Sequence, residues 1–148
     1  MKANRFLFLV FLLLFSFISF SQVTKVPAAA KDNFGRQYPN AQNVNWDNDV
    51  IHVNASFELE GEEMNAEYNN KGIWKKTEKK WAYDKLPETV KDGFKKSKYA
   101  DRGITETVIV YLPGDVQQYR LKVEKNDLQK KYLFFNNEGR LVRDALTL

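Results

Sequence analysis

The side chains that could carry chemistry in this chain are few, and their spacing argues against most reactions. There is one histidine, His52, and no cysteine among 148 residues. Zinc sites and acid–base pairs need further ligands at a defined spacing, and His52 stands alone on the polar phase of an alternating stretch, where it reads as a solvated surface residue. Thiol nucleophiles are missing along with cysteine, and no Gly-x-Ser-x-Gly elbow precedes a helix. The seven glycines are scattered among turns rather than clustered into a phosphate cradle. Glu58, Glu60, Glu62 and Glu63 are the densest group of carboxylates. A period of two puts Glu58 and Glu60 on one face and leaves Glu62 and Glu63 at a hairpin tip, an arrangement that keeps a sheet soluble and lacks the oxygen spacing of a calcium loop. Lys75-Lys76, Lys79-Lys80 and Lys95-Lys96 likewise read as solvated faces. The residues assign no catalytic group, no metal ligand and no cofactor.

The elements that would position these residues follow from hydrophobic period. Pro27 and Pro87 suit helix starts, and Ala30, Phe34 and Tyr38, like Leu86, Val90 and Phe94, recur every fourth residue as one apolar helix face. Pro39 disfavours helical dihedrals at Tyr38, so the first helix ends there. Ile51, Val53, Ala55, Phe57 and Leu59 then alternate with His52, Asn54, Ser56, Glu58 and Glu60, which only a strand can produce. A turn at Glu60-Gly61-Glu62 leads to a return strand through Met64, Ala66 and Tyr68. Asn69-Asn70-Lys71-Gly72 turns the chain again into a strand from Ile73 to Thr77, and Val44 to Asp47 forms a short strand before the long one. Later strands are expected at 104–111, 118–124, 128–135 and 141–146, with Glu78 to Lys85 as a short charged connection.

The chain also matches itself. The segment from Val26 to Phe34 aligns with Leu86 to Phe94 on its Pro, Lys-Asp and Phe, and Asn69-Asn70-Lys71-Gly72 aligns with Asn136-Asn137-Glu138-Gly139. The expected fold is α+β, with two tandem helix-plus-four-stranded antiparallel repeats over 22–80 and 81–148. Packed as one compact unit, they would carry their helices on one face of a continuous sheet and leave the opposite face open. Phe34, Phe57, Phe94, Phe134 and Phe135 with three Trp and seven Tyr supply the core that a chain without disulfides needs.

Lys2 and Arg5, the apolar run from Phe6 to Ile18 and the small residues of Ser19-Phe20-Ser21 have the form of a signal peptide cleaved between Ser21 and Gln22. The run is shorter than the ~20 residues that span a bilayer. Periplasmic or secreted location follows, with no stable membrane insertion after cleavage. Losing Lys2 and Arg5 lowers the formal net charge of +4 by two, which leaves no excess that would argue for nucleic acid.

Val26-Pro27, Phe34, Tyr38-Pro39-Asn40-Ala41, Val44-Asn45-Trp46-Asp47 and Asn69-Asn70-Lys71-Gly72 together resemble the PepSY-like, β-lactamase-inhibitor-like family of exported Gram-negative bacterial proteins. The resemblance implies two helix-plus-four-strand repeats joined side by side, in a layout similar to that of the β-lactamase inhibitor protein. It further implies kinship with PepSY modules of peptidase propeptides that hold proteases inactive. It carries over no catalytic or binding residue, and the disulfides of the inhibitor are missing here.

The function expected from these readings is non-catalytic binding of an exported protein or peptide, a hydrolase being one candidate partner, through the open sheet face. The alternative is carriage of a small hydrophobic or sugar-like ligand between sheet and loops. Alternation assigns His52, Asn54, Glu58, Arg120, Lys122, Tyr132 and Phe134 to the open face, free of helix packing, as candidate partner-binding residues. The intact mass of the exported protein should place its first residue at Gln22; a membrane-bound chain still starting at Met1 would contradict that reading.

Overall fold

Pro27 lies just ahead of α1 (Ala28–Gln37), and its carbonyl accepts the amides of Ala30 and Lys31 at 3.0 and 3.3 Å, closing the first turn. The computed structural model describes residues 25–49, 51–127 and 129–147. The expected signal segment and its cut lie outside the described residues. α1 stops where Pro39 requires, with the Tyr38 amide donating to the Phe34 carbonyl at 2.8 Å. Four strands follow, β1 (Gln42–Asn48), β2 (His52–Leu59), β3 (Glu62–Asn69) and β4 (Trp74–Lys80). A 3-10 turn at Tyr83–Lys85 and α2 (Glu88–Lys95) lead to β5 (Gly103–Leu112), β6 (Val116–Glu124), β7 (Lys130–Phe135) and β8 (Leu141–Leu146).

All eight strands form one antiparallel sheet in chain order. The expectation of two helix-plus-four-strand repeats is corrected at this point. The α+β class holds, but the architecture is a single eight-stranded sheet carrying two short helices. β4 pairs with β5 at Thr77↔Tyr111, Glu78↔Val110, Lys79↔Ile109 and Lys80↔Val108, so the stretch expected to begin a connection at Glu78 is still strand through Lys80. Two separate sheets would expose two additional edges with unpaired amides, and joining them removes both.

Register carries one face across the whole sheet. Val53, Ala55 and Phe57 lie opposite Tyr68, Ala66 and Met64, Ala66 opposite Thr77, and Thr77 opposite Tyr111, so residues under α1 and those under α2 point the same way. Under α1 the fully buried Ala30 and the ring of Phe34 meet Val53, Ala55, Phe57, Ala66 and Tyr68. Phe34 stands edge-on to Phe57 at 4.9 Å and to Trp46 at 5.3 Å between ring centres, the trio that the apolar phases of helix and strands bring together. Under α2, Val90 and Phe94 meet Ile109, Leu121, Val123, Leu133 and Phe135. Between the two clusters Thr77 is fully buried and satisfied, because its hydroxyl meets the Tyr38 hydroxyl at 2.5 Å and accepts the Trp74 indole N–H at 2.9 Å.

The two Asn-rich turns press on the helix starts. Gly72 and Gly139 have φ of +76° and +78°, and a Cβ on either would strike backbone, that of Ala29 for Gly72 and the Thr89 carbonyl for Gly139. Ile51, expected in the apolar phase of β2, precedes the strand and is 67% exposed. The Asp49 carboxylate accepts the amides of Ile51 and His52 at 2.8 and 2.6 Å, and this turn directs Ile51 outward. Phe34→Ala removes the ring on which Trp46, Phe57 and Tyr38 converge, and chemical denaturation should register a loss of about 3–5 kcal/mol. A loss below about 1 kcal/mol, the range of surface positions, would refute this account of the core.

Candidate functional site

The sheet face opposite the helices carries side chains that are not engaged in helix packing. Its residues alternate with the core along each strand. His52, Asn54, Ser56 and Glu58 come from β2, Glu63, Asn65 and Glu67 from β3, and Lys76, Glu78 and Lys80 from β4. Glu106, Val108 and Val110 come from β5, Arg120 and Lys122 from β6, Tyr132 and Phe134 from β7, and Arg143 and Ala145 from β8. A groove of about 520 Å³ crosses its middle, with Ser56, Glu58, Asn65, Glu78, Val108 and Arg120 among its lining residues. It is of the size that suits a ligand or a few side chains of a partner.

Arg120 is the anchor of the groove. Its side chain is only 15% exposed, and its terminal nitrogens donate to Glu78 and Glu106, each at 2.8 Å. The guanidinium lies over the Tyr132 ring at 4.7 Å, so an aromatic ring and two carboxylates from different strands hold its charge in place. From Glu78 the charges alternate onward, with Lys76 2.7 Å from Glu78 and 3.3 Å from Glu67, and Glu67 3.8 Å from His52 Nε2. Burial alone would pull the Lys76 ammonium down, but the hydrogen bond and charge of Glu78, with Glu67 adding to them, outweigh it and hold its pKa above the ordinary lysine value. The Glu63 carboxyl is held below its usual range by the hydrogen bond from Lys80 and by that ammonium's charge.

Beside this charged strip lies an apolar patch that belongs to the same face. Phe134 is 8% exposed and packs with Val108 and Val110, while Leu112, Tyr132 and Ala145 close around them. Arg143, exposed on β8, lies 3.9 Å over the Phe134 ring.

All seven residues singled out by alternation are placed on this face, but they do not form one cluster. Glu58 and Arg120 line the groove. His52 and Asn54 lie toward one end, where His52 is flanked by Asp49 and Glu67 at 3.9 and 3.8 Å. Lys122, Tyr132 and Phe134 lie beyond Arg120, with Lys122 opposite Tyr132 and Arg120 opposite Phe134. Phe134, free of helix packing, is nevertheless buried among its own neighbours. Sequence reasoning missed Glu78, Glu106 and Arg143, and it missed Val108 and Val110 as members of this face. A signal existed for the valines: Val108-Ile109-Val110-Tyr111-Leu112 is apolar without interruption, which marks a strand buried on both sides. Glu78 was masked by its reading as part of a connection.

Residues 50–143 match the family described as "Putative beta-lactamase-inhibitor-like, PepSY-like". The chain belongs to the PepSY-like family. Among solved structures, this PepSY-like chain is similar to a DUF2874 family protein from Bacteroides ovatus, at 27% identity and a TM-score of 0.72 over 82% of this chain and 87% of that one. A BLIP-like protein from Bacteroides fragilis gives 24% and 0.71 over 82% and 86%. A Bacteroides eggerthii protein described as "putative periplasmic" gives 21% and 0.69 over 82% and 88%. No curated protein matches the chain in sequence.

Among the described residues no group of three or more His, Asp or Glu side chains could hold a metal ion. The arrangement holds charges in fixed positions, with the side-chain amides of Asn43 and Asn65 donating to Glu58 and Ser56 and a buried apolar cluster beside them. Glu78→Gln should cost about 1.5–3 kcal/mol of stability, the worth of a charge-assisted hydrogen bond to the mostly buried Arg120. Glu106→Gln, at a carboxylate 43% exposed, should cost below about 1 kcal/mol. Equal losses in urea unfolding would show that the two carboxylates share Arg120 evenly.

Proposed function

We propose that this PepSY-like protein is an exported, non-catalytic binding protein that takes a protein or peptide partner on the open face of its sheet, in the manner of an inhibitor. The observation that carries the reading is the groove around Arg120. A guanidinium held by Glu78, Glu106 and Tyr132 is organised before any partner arrives, so little ordering entropy remains to oppose association. Family membership, with its inhibitor-like description, supports the same reading. Export is supported by the basic and apolar start of the chain and by the periplasmic description of the similar Bacteroides eggerthii protein. Among the described residues no helix is long and apolar enough to cross a membrane.

The test blocks the groove without touching its charge network. Asn65 donates to the Ser56 hydroxyl at 3.0 Å, and neither residue is part of an ion pair. Ser56→Tyr with Asn65→Tyr, both neutral, should fill the groove while leaving the melting transition nearly in place. Periplasmic protein captured by the wild-type chain residues 22–148 should be lost from this variant. Equal capture by both would move the partner to the loops or the helix side, and a small molecule copurifying with the wild type alone would favour a ligand carrier.

A further inference from the structure

The open face carries two guanidinium–aromatic stacks side by side, and only one has carboxylate partners. Arg120, Phe134 and Arg143 lie in one row across β6, β7 and β8. Arg120 lies over Tyr132 and has carboxylates on both terminal nitrogens, supplied by β4 and β5. Arg143 lies over Phe134 at 3.9 Å, closer than Arg120 lies over its ring, yet among the described residues it has no carboxylate partner. The difference follows from position. Arg120 sits inside the sheet, where neighbouring strands deliver Glu78 and Glu106, whereas β8 is an edge with no strand beyond it. The acid next to Arg143 in sequence is already engaged, because Asp144 points to the helix side and accepts from Lys131 at 2.8 Å and from the Tyr99 hydroxyl at 2.7 Å. Those two hydrogen bonds, that of Lys131 the stronger, depress its pKa to about 2 and tie its charge to the helix side.

We propose that Arg143 receives a side-chain carboxylate, that of an aspartate or glutamate, from a partner protein. This deepens the open-face reading and rests on it. The Arg120 stack shows within the same molecule that carboxylates meet the terminal nitrogens of a guanidinium lying over a ring, there with one hydrogen bond to each of two. A guanidinium lying on a ring leaves its N–H edge outward in the plane that a carboxylate meets with two parallel hydrogen bonds. A carboxylate fits better than a phosphate, because Glu78 and Glu106 on the same face repel a dianion more than a single charge.

The probes are the capped tripeptide acetyl-Leu-Asp-Leu-amide and its twin acetyl-Leu-Asn-Leu-amide, titrated into residues 22–148 while the arginine Nε–Hε and Phe134 ring resonances are followed by NMR. The aspartate peptide should shift both signals saturably and bind about tenfold more tightly than the asparagine twin, a ratio equal to about 1.4 kcal/mol. Arg143→Gln should abolish that preference with at most a small downward shift of the melting transition, since the exposed side chain has no carboxylate to lose and gives up only its contact with the Phe134 ring. Twins that bind alike, an absence of binding by either, or a preference that survives Arg143→Gln would overturn the assignment. If the groove-filling variant still loses its captured protein in that event, the open face remains the binding surface and only the role of Arg143 falls. If the groove variant keeps its partner, the open-face reading itself falls.

Discussion

The pairing of β4 with β5 is the constraint on which the rest of the molecule depends. Four residue pairs, from Thr77↔Tyr111 to Lys80↔Val108, join strands separated by a 3-10 turn and a helix. Without them the sheet would end at Lys80, Thr77 would lose its place between the two apolar clusters, and Glu78 could not reach Arg120. Such pairing is expensive to nucleate, because the intervening chain must close before any contact rewards it. The segment that closes is accordingly well held. The Trp81 amide donates to the Thr107 carbonyl at 3.0 Å, the Thr107 hydroxyl donates to the Trp81 carbonyl, and the Trp81 indole donates to the Lys85 carbonyl at 3.1 Å.

One sheet with helices on a single face creates two surfaces with different physics. The helix side is dry and holds most of the stabilising burial, with Tyr68, Leu121, Leu133 and Phe135 essentially inaccessible. The opposite side has to remain soluble, and it does so by pairing charges across strands rather than by spreading single ones. Glu67, Lys76, Glu78, Arg120 and Glu106 form a continuous chain of alternating sign from β3 to β6. Exposed ion pairs of this kind contribute little singly, but a half-buried network fixes the positions of its members. Fixed positions are what a recognition surface needs, since association then orders few side chains.

The open face is asymmetric. Toward β2 and β3 it is polar and self-satisfied. Toward β7 and β8 its apolar side chains are buried among themselves, and its outermost cation, Arg143, lies exposed over the Phe134 ring. In the proposed reading a partner laid across the face meets hydrogen-bonding groups at one end and that cation at the other, which orients it as well as holding it.

The sequence by itself determined the elements, and through them the class. Proline placement, the recurrence of Ala30 and Phe34, and the alternation from Val53 to Leu59 are local consequences of backbone geometry, so helices, strands and the meeting of Phe34, Trp46 and Phe57 were legible before any fold. It also showed which phase of each strand faces away from the helices, and hence His52, Glu58, Arg120 and Tyr132. What only the tertiary structure decided is which strands become neighbours. Alternation looks the same whatever partner a strand takes, so although a continuous sheet was expected, the register in which β4 meets β5 left no trace in periodicity, and Glu78 and Glu106 could not be connected to Arg120. Arg143 was invisible for the same reason: its place on an edge, with a ring beneath it and no strand beyond, is a property of strand order, which long-range hydrogen bonding sets and residue spacing does not encode.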